Sequence, residues 1–528
     1  MINILRLFSI SFFLAHLSIH AIADHITVQG EVSGHWVFDT VFVAGDLTVA
    51  DGQNLMIHPG VKVIFNGDYE FRVEGSVLAS GMSGDSIYFT VADTAGFHND
   101  TIPGGGWGGI RFDDTRASND SSIFEYCRFE FGKIVNADPA TGNGGAIFVN
   151  NFNKIRISKC LFRDNFATFN GGAVYLDSAN IVIERSLFTR NRAGLAVAPW
   201  GYGGAVCSDN SSPGIYWNVF ENNSSTGVGG GLVVRFNDCH VYNNIFTGNY
   251  SALGGGFGIL HIPDCSHRIS CNLIAENASA FFGGGVANIN ASPIYINNTI
   301  AFNQSTYGGG FYCKDSVSPD FYNTIIWGNA AAVGQQGYLF EVYSQADFFN
   351  CDVEGGPLLF GGSGGGEAFL GTFEDCIDAD PQFLGTGEHP YELGWDSPCY
   401  DAGSPDTTGF LLPETDLAGN PRHSHAFIDI GAYEIVWTGV EAWEHVGVEV
   451  WPNPTSGKFK VQNSKSKEGL HSVKVMNLTG QIIETRNLEP WNSGILELDI
   501  SHLPDGTYFI IINLEREILS KKLIKISR

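Results

Sequence analysis

Basic residues are scarce in part of this 528-residue chain, and the chain as a whole carries a net charge of −27. Between residues 331 and 457 there are 21 acids and one base, Arg422. No basic face is apparent that would neutralise a row of phosphates, which argues against nucleic acid as a partner. Helical periodicity is absent too: between 100 and 330 no apolar i, i+3, i+4, i+7 run reaches helix length. Glycine is abundant, at 66 residues, yet follows no strict triplet, which excludes a collagen-like rod. Beyond the N-terminus no apolar run is long enough to span a bilayer. The cysteines and histidines lack zinc-ligand spacing, and there is no 12-residue EF-hand loop.

What is present is a repeat, from Asn143 to Asn329. One signal is a glycine pair or triplet, as in Gly144-Gly145-Ala146, Gly171-Gly172-Ala173 and Gly308-Gly309-Gly310. The other is an apolar residue, two spacers and an asparagine, from Phe162…Asn165 to Ile326…Asn329. Successive asparagines lie 26, 32, 26, 28, 26 and 26 residues apart, a period that marks a solenoid. Val174-Tyr175-Leu176 and Ile181-Val182-Ile183 are β-like runs bounded by turn residues. A coil of this length predicts roughly three strands of about five residues, stacked as a parallel β-helix. Glycines supply positive φ and close approach at a corner, and the asparagines are expected to form a ladder from coil to coil.

The paired GGA and FxxN motifs resemble the repeats of chlamydial polymorphic outer-membrane proteins, and more broadly the pectate-lyase-like β-helix superfamily. The resemblance implies a right-handed coil. The expected fold is all-β: a right-handed parallel β-helix solenoid followed by a small C-terminal β-sandwich. Residues 1–23, with Arg6, the run Leu7 to Leu17 and Ala21-Ile22-Ala23, have the pattern of a secretory signal peptide. Residues 24–142 are expected to form the N-terminal coils, with a loop bulging out from about Ala92 to Gly106, and 143–353 the regular coils. Residues 354–440 form an acidic closing segment and linker. The runs Asp378-Ala379-Asp380-Pro381 and Asp429-Ile430-Gly431-Ala432-Tyr433-Glu434 resemble the closing segments of bacterial surface β-helices, and should cap the open end of the core. Residues 441–528 alternate strands with turns. Pro452-Asn453-Pro454, Val473 to Gln481 and Leu503-Pro504-Asp505-Gly506-Thr507-Tyr508 closely resemble the type A sorting domain of the type IX secretion system. That resemblance implies a Gram-negative, Bacteroidota-type bacterium, the secretion machinery as a partner, and a mature chain without a transmembrane span at the cell surface or released.

Stacked coils place equivalent positions about 4.8 Å apart. Counting from the corner glycines predicts Asp209, Arg235 and His261 on consecutive coils along one line. Arg235 or His261 would serve as the base of a polysaccharide lyase, with Asp177 and Asp209 binding Ca²⁺; a glycoside hydrolase would use Asp177 and Asp209 as its carboxylate pair. The bland alternative is that these residues close a strand at a solvated corner. Phe169, Tyr202, Phe282 and Tyr307 stand just before glycine corners, and Trp200 lies in the one insertion, between Asn191 and Gly203. Exposed, they would form a platform for sugar rings; buried, they are corner packing. Asp378 and Asp380, with Glu374 and Asp375, are a further candidate Ca²⁺ site. Ten cysteines in an exported chain invite bridges, for which Cys265/Cys271 and Cys376/Cys399 are the candidates, while Cys127 and Cys160 fit interior slots. The leading expectation is an adhesin-like protein that binds carbohydrate or another surface; the alternatives are a lyase or hydrolase, and a structural surface-layer role.

Overall fold

The computed structural model describes residues 25–196, 200–262, 267–422, 427–436, 448–463, 470–477, 481–491, 494–514 and 518–526. The expected signal peptide, Ala198-Pro199 of the insertion and Cys265 lie outside the described residues. The chain divides into two units, Met1–Ile435 and Val436–Arg528.

One coil of the first unit shows how the sequence makes it. Its strands are Ile155–Ser158, Leu161–Arg163, Phe166–Ala167 and Val174–Asp177. The next coil lies directly over it, in parallel register: Arg156 pairs with Val182, Phe162 with Phe188, Phe166 with Arg192 and Val174 with Val206. The coil thus has four strands of two to four residues rather than three of five. Single residues in the left-handed region turn the chain, which makes corners short and frequent. Lys159, Asp164 and Ser178 have φ of 54°, 53° and 52°. This conformation costs a non-glycine residue about 1–2 kcal/mol. It is offset by hydrogen bonds to the next coil, such as Lys159 N to Glu184 O at 3.1 Å. The two glycines of each GG pair serve different ends. Gly171 has φ 59°, whereas Gly172 lies so close to the next coil that a Cβ there would stand 2.2 Å from the Gly204 carbonyl oxygen.

Inside the coil, Phe129, Phe162, Phe188, Phe220 and Phe246 stack with centroids 4.6–4.9 Å apart. Beside them runs the asparagine ladder. From Asn165 to Asn303, each Nδ2 donates to the Oδ1 of the next FxxN asparagine at 2.8–3.0 Å, ending at Asn329. A second ladder occupies another corner: Asn218, Asn244, Asn272 and Asn298, linked at 3.1 Å. Ser186 and Cys160 extend it at one end, Thr324 and Cys351 at the other, so buried cysteines share a slot with amides.

The closing segment caps the core only with its first part, and the runs from Asp378 onward, expected to cap it, do not. Phe360, Phe369 and Phe373 close the core beyond Phe348. The chain from Asp378 to Ile435 instead runs back along the flank of the coils as a strap. Tyr391 Oη donates to Glu276 at 2.8 Å, Asn243 Nδ2 to Thr415 O at 2.9 Å, Asn297 Nδ2 to Asp429 O at 2.8 Å, and Gly431 N to Asn323 O at 2.8 Å. The reason is the outer face beneath it. The position held by Arg163, Thr189 and Glu221 on earlier coils becomes Ala275, Ala301 and Trp327 here, and an apolar flank needs cover. Arg422 holds the strap to itself. Fully buried, it donates to Glu434 Oε1 at 2.8 Å and to the carbonyls of Gly431 and Ala432.

The second unit is antiparallel. Val448–Trp451, Lys458–Asn463 and Gly494–Asp499 form one sheet. Ile482–Trp491, Leu470–Asn477, Gly506–Leu514 and Ile518–Lys525 form the other. Phe459, Val461, Val473, Ile510 and Leu523 fill the space between them, making a sandwich. Among the described residues no helix is long and apolar enough to cross a membrane.

Candidate functional site

The ladder that contains Val174–Asp177 carries most of the residues singled out from the sequence. Its fourth strand position holds Asn150, Asp177, Asp209, Arg235, Leu260, Ile289 and Lys314 on successive coils. Asp209 and Arg235 therefore do face each other. His261 does not join them: the rung partner of Arg235 is Leu260. His261 turns the following corner with φ 61°, and its exposed ring stacks on Phe236 at 5.4 Å. The cause is an offset of one residue, which sends a side chain of this ladder into the corner instead of along the face.

Asp209 and Arg235 are locked together. Arg235 Nε donates to Asp209 Oδ1 at 2.7 Å, and Nη2 donates to Oδ2. Tyr175 Oη donates to Oδ2 at 2.9 Å, and the guanidinium lies 4.4 Å over the Tyr202 ring. Burial works against the charge on Arg235, but Cys207 and Asp209 outweigh it and hold the group above its ordinary range. Burial, with Asp209 beside it, also raises the Tyr175 phenol. A guanidinium held charged is no base, and a carboxylate with its oxygens taken by Arg235 and Tyr175 has little left for a cation. Asp177, half-buried on the neighbouring rung, accepts from Asn210 at 3.0 Å and from Ser178 at 3.2 Å.

Asp378 and Asp380 are exposed on the strap, and Asp380 Oδ1 caps a local turn by accepting from Gln382 N at 2.9 Å. Among the described residues, no three His, Cys, Asp or Glu side chains are grouped to hold a metal ion. Cys376 and Cys399 are both free thiols and do not face each other. Cys376 touches Cys351, whereas Cys399 donates to Asp352 at 3.1 Å.

The aromatic row divides. Phe169 is 9% exposed and is corner packing. Tyr202, Phe282 and Tyr307 are half-buried against an outer apolar layer that includes Tyr175, Val233 and Tyr312. Trp200 is 57% exposed. The sequence reading missed three aromatics that complete the row: Tyr312, Tyr338 and Phe340. Phe282 lies 4.9 Å from Tyr307 and 4.7 Å from Tyr312, and Tyr338 lies 5.3 Å from Tyr307. Phe340 is exposed at the edge of this cluster, with Lys314 Nζ 5.8 Å from its ring. The missed residues follow the glycine corners rather than precede them, so position counting before the glycines does not find them.

A second site lies where the repeat is irregular. A cleft of about 340 Å³ opens on the N-terminal coils, its charged lining made of Asp46, Asp68, Glu70 and Asp113 together with Arg72 and Arg111. Arg72 and Arg111 are rung partners, and Phe148 follows Arg111 on the next coil. Glu70 sits between the two guanidinia, 3.1 Å from Arg72 and 3.9 Å from Arg111. Lys133 is wholly buried in the lining of the cleft. Its Nζ donates to the carbonyls of Gly96, Asn99 and Gly104 at 2.9–3.0 Å, pinning the loop that bulges from this part of the coil. Partial desolvation and the charge of Asp46 push the Asp68 carboxyl up to about 6, although part of the side chain stays in solvent; burial brings Arg111 down to about 10. No repeat signal reaches these coils, so their register was not legible beforehand.

Comparison with known families agrees with this architecture. Residues 85–261 match the right handed beta helix region, and residues 449–526 match the secretion system C-terminal sorting domain. No curated protein matches the chain. The coil is right-handed, and the sandwich is a type IX sorting tail, which marks the chain for export by that machinery.

Proposed function

We propose that this right-handed β-helix protein with a type IX sorting tail is a non-catalytic carbohydrate binder of the bacterial exterior, adhesin-like in its use of a rigid, repeated face. The observation that carries the reading is the aromatic cluster of Phe282, Tyr307, Tyr312, Tyr338 and Phe340. It is braced from beneath by the outer apolar layer and open at Phe340. Rigid rings with one accessible edge suit the apolar faces of sugars, and Lys314 adds a polar group at that edge. Mutual neutralisation of Asp209 and Arg235 counts against the lyase reading, because Arg235, the base that reading requires, is held charged by its partner.

The test is retention of the full-length protein on a panel of neutral and acidic polysaccharides, with product release followed in parallel. Retention without turnover, weakened about tenfold by Tyr338→Ala combined with Phe340→Ala, is the expected result; tenfold corresponds to about 1.4 kcal/mol. Release of unsaturated uronates, abolished by Arg235→Ala, would overturn the binder reading in favour of a lyase.

A further inference from the structure

The cleft on the N-terminal coils has features that the aromatic face lacks. Arg111 is 6% exposed, yet its guanidinium makes one hydrogen bond, from Nη1 to Asn143 O at 2.6 Å. Glu70 stands 3.9 Å from its Nε, beyond hydrogen-bond reach. The guanidinium has five donors, and those beyond this bond are left to the cleft that Arg111 lines. Arg111 lines the cleft and covers Phe148 at 5.0 Å.

The charges around it select against ions. An anion drawn to Arg72 and Arg111 meets Asp46, Asp68 and Glu70 across the same space. A cation drawn to those carboxylates meets the two guanidinia. Lys133 adds nothing free, since three carbonyls occupy it. A hydroxyl group satisfies both kinds of group at once: it donates to a carboxylate and accepts from a guanidinium. Ile134, Val135 and Phe148 supply apolar wall beside the charged groups. The volume of about 340 Å³ sits at the small end of ligand sites, which run from about 300 to 1,000 Å³.

We infer that this cleft is a binding site for a single uncharged sugar residue, whose neighbouring hydroxyls bridge the Asp68 carboxylate and the guanidinia of Arg72 and Arg111 that line it. The inference rests on the carbohydrate reading above and adds to it a short, polar, end-on subsite distinct from the aromatic face. A hydroxyl donates more strongly to the ionised carboxylate than to the acid, so affinity falls as pH drops through about 6, where Asp68 takes up its proton.

The experiment is titration of the full-length protein with methyl glycosides of neutral hexoses and pentoses, alongside glucuronate and glucosamine, followed by ligand-observed NMR. Saturable binding of a neutral glycoside is expected. Asp68→Asn and Arg72→Gln should each weaken it at least tenfold, and Asn237→Ala, at an exposed corner outside both sites, should leave it unchanged. Asp68 is exposed and Arg72 partly so, which makes both variants tolerable to the fold; their melting temperatures check this. Binding confined to the charged sugars, or neutral binding that survives both variants, would overturn the site. Polysaccharide retention lost only with the aromatic variants, with no glycoside bound, would also overturn it while leaving the carbohydrate reading intact. Absence of both glycoside and polysaccharide binding would remove that reading and this site together.

Discussion

Arg235 and Asp209 stand opposite each other on adjacent rungs, joined by two hydrogen bonds, one of them Nε to Oδ1 at 2.7 Å. Both side chains are largely buried, so each charge depends on the other.

Arg235→Met should therefore cost about 3–5 kcal/mol, the penalty for stranding a buried charge. Adding Asp209→Leu should recover most of it, because an apolar pair fits a site flanked by Cys207 and Val233. Urea denaturation of the two variants measures this. A double variant no more stable than Arg235→Met would show that the pair does more than neutralise itself.

The asparagine ladder makes a second prediction. Asn249 Oδ1 accepts from Asn223 N at 3.0 Å, and its Nδ2 donates to Phe220 O at 2.8 Å, all fully buried. Asn249→Ala leaves these groups unpaired and should cost about 2–3 kcal/mol, whereas Asn237→Ala at an exposed corner should cost less than about 0.5 kcal/mol. Thermal melts of the two variants give the comparison.

How much of this was legible beforehand varies along the chain. Phe162 and Asn165 recur at a period that fixes a rung, and the rung fixes the ladder. The second ladder carried its own signal, Asn-x-Phe or Asn-x-Ile, as in Asn244-Ile245-Phe246, hidden because it shares the same apolar residue. The strap was legible in composition but not in placement. Ala275 and Ala301 were the hint, since small residues replace charged ones only where something covers them. Asp209 and Arg235 came together because they share a strand position; His261 missed by one residue, and one residue turns a corner. The N-terminal cleft depends on Arg111 meeting Arg72, a pairing no repeat announces.

Asp352 sets a pH dependence. It is fully buried, and desolvation pushes its carboxyl up to about 7, against the helping bonds from Cys399 and Ala379 N. The folded state then holds a proton that the unfolded state releases from about pH 4 upward. Stability from this group is full at low pH and declines as pH rises towards 7. Asp352→Asn should flatten that decline and raise stability at pH 8 by a few kcal/mol, with little change at pH 4. Denaturation midpoints at pH 4, 6 and 8 test the sign.

Lys133→Met removes three charge-assisted bonds to the loop spanning Gly96 to Gly104. The coil beneath should survive, since its own rung bonds do not involve the amine. Cleavage within the loop by a non-specific protease should accelerate by roughly one to two orders of magnitude, in keeping with about 1.5–3 kcal/mol for a bond to a charged group.

Ala301 lies fully buried beneath the strap, packed in one cluster with Tyr391, Leu417 and Tyr433. Ala301→Glu forces a carboxylate into that contact and should detach the strap, exposing residues 378–435 to hydrogen exchange. Phe162 and the earlier coils, which the strap does not touch, should keep their protection.

The strap also divides the solenoid into two kinetic regimes. Coils before about residue 240 pair rung by rung with their neighbours, with Arg192 reaching back to Asp100 as a longer tie, so they can form by zippering, the regular ones closing loops of some 26 residues. Coils from Asn243 onward are tied to residues 132–172 positions later, through Asn297 to Asp429 and Asn243 to Thr415. Contacts of such separation are slow to form and cannot close until the chain as far as Ile435 is available. The first half of the molecule is a row of local decisions; the second half is a single latch that shuts only when its far end arrives.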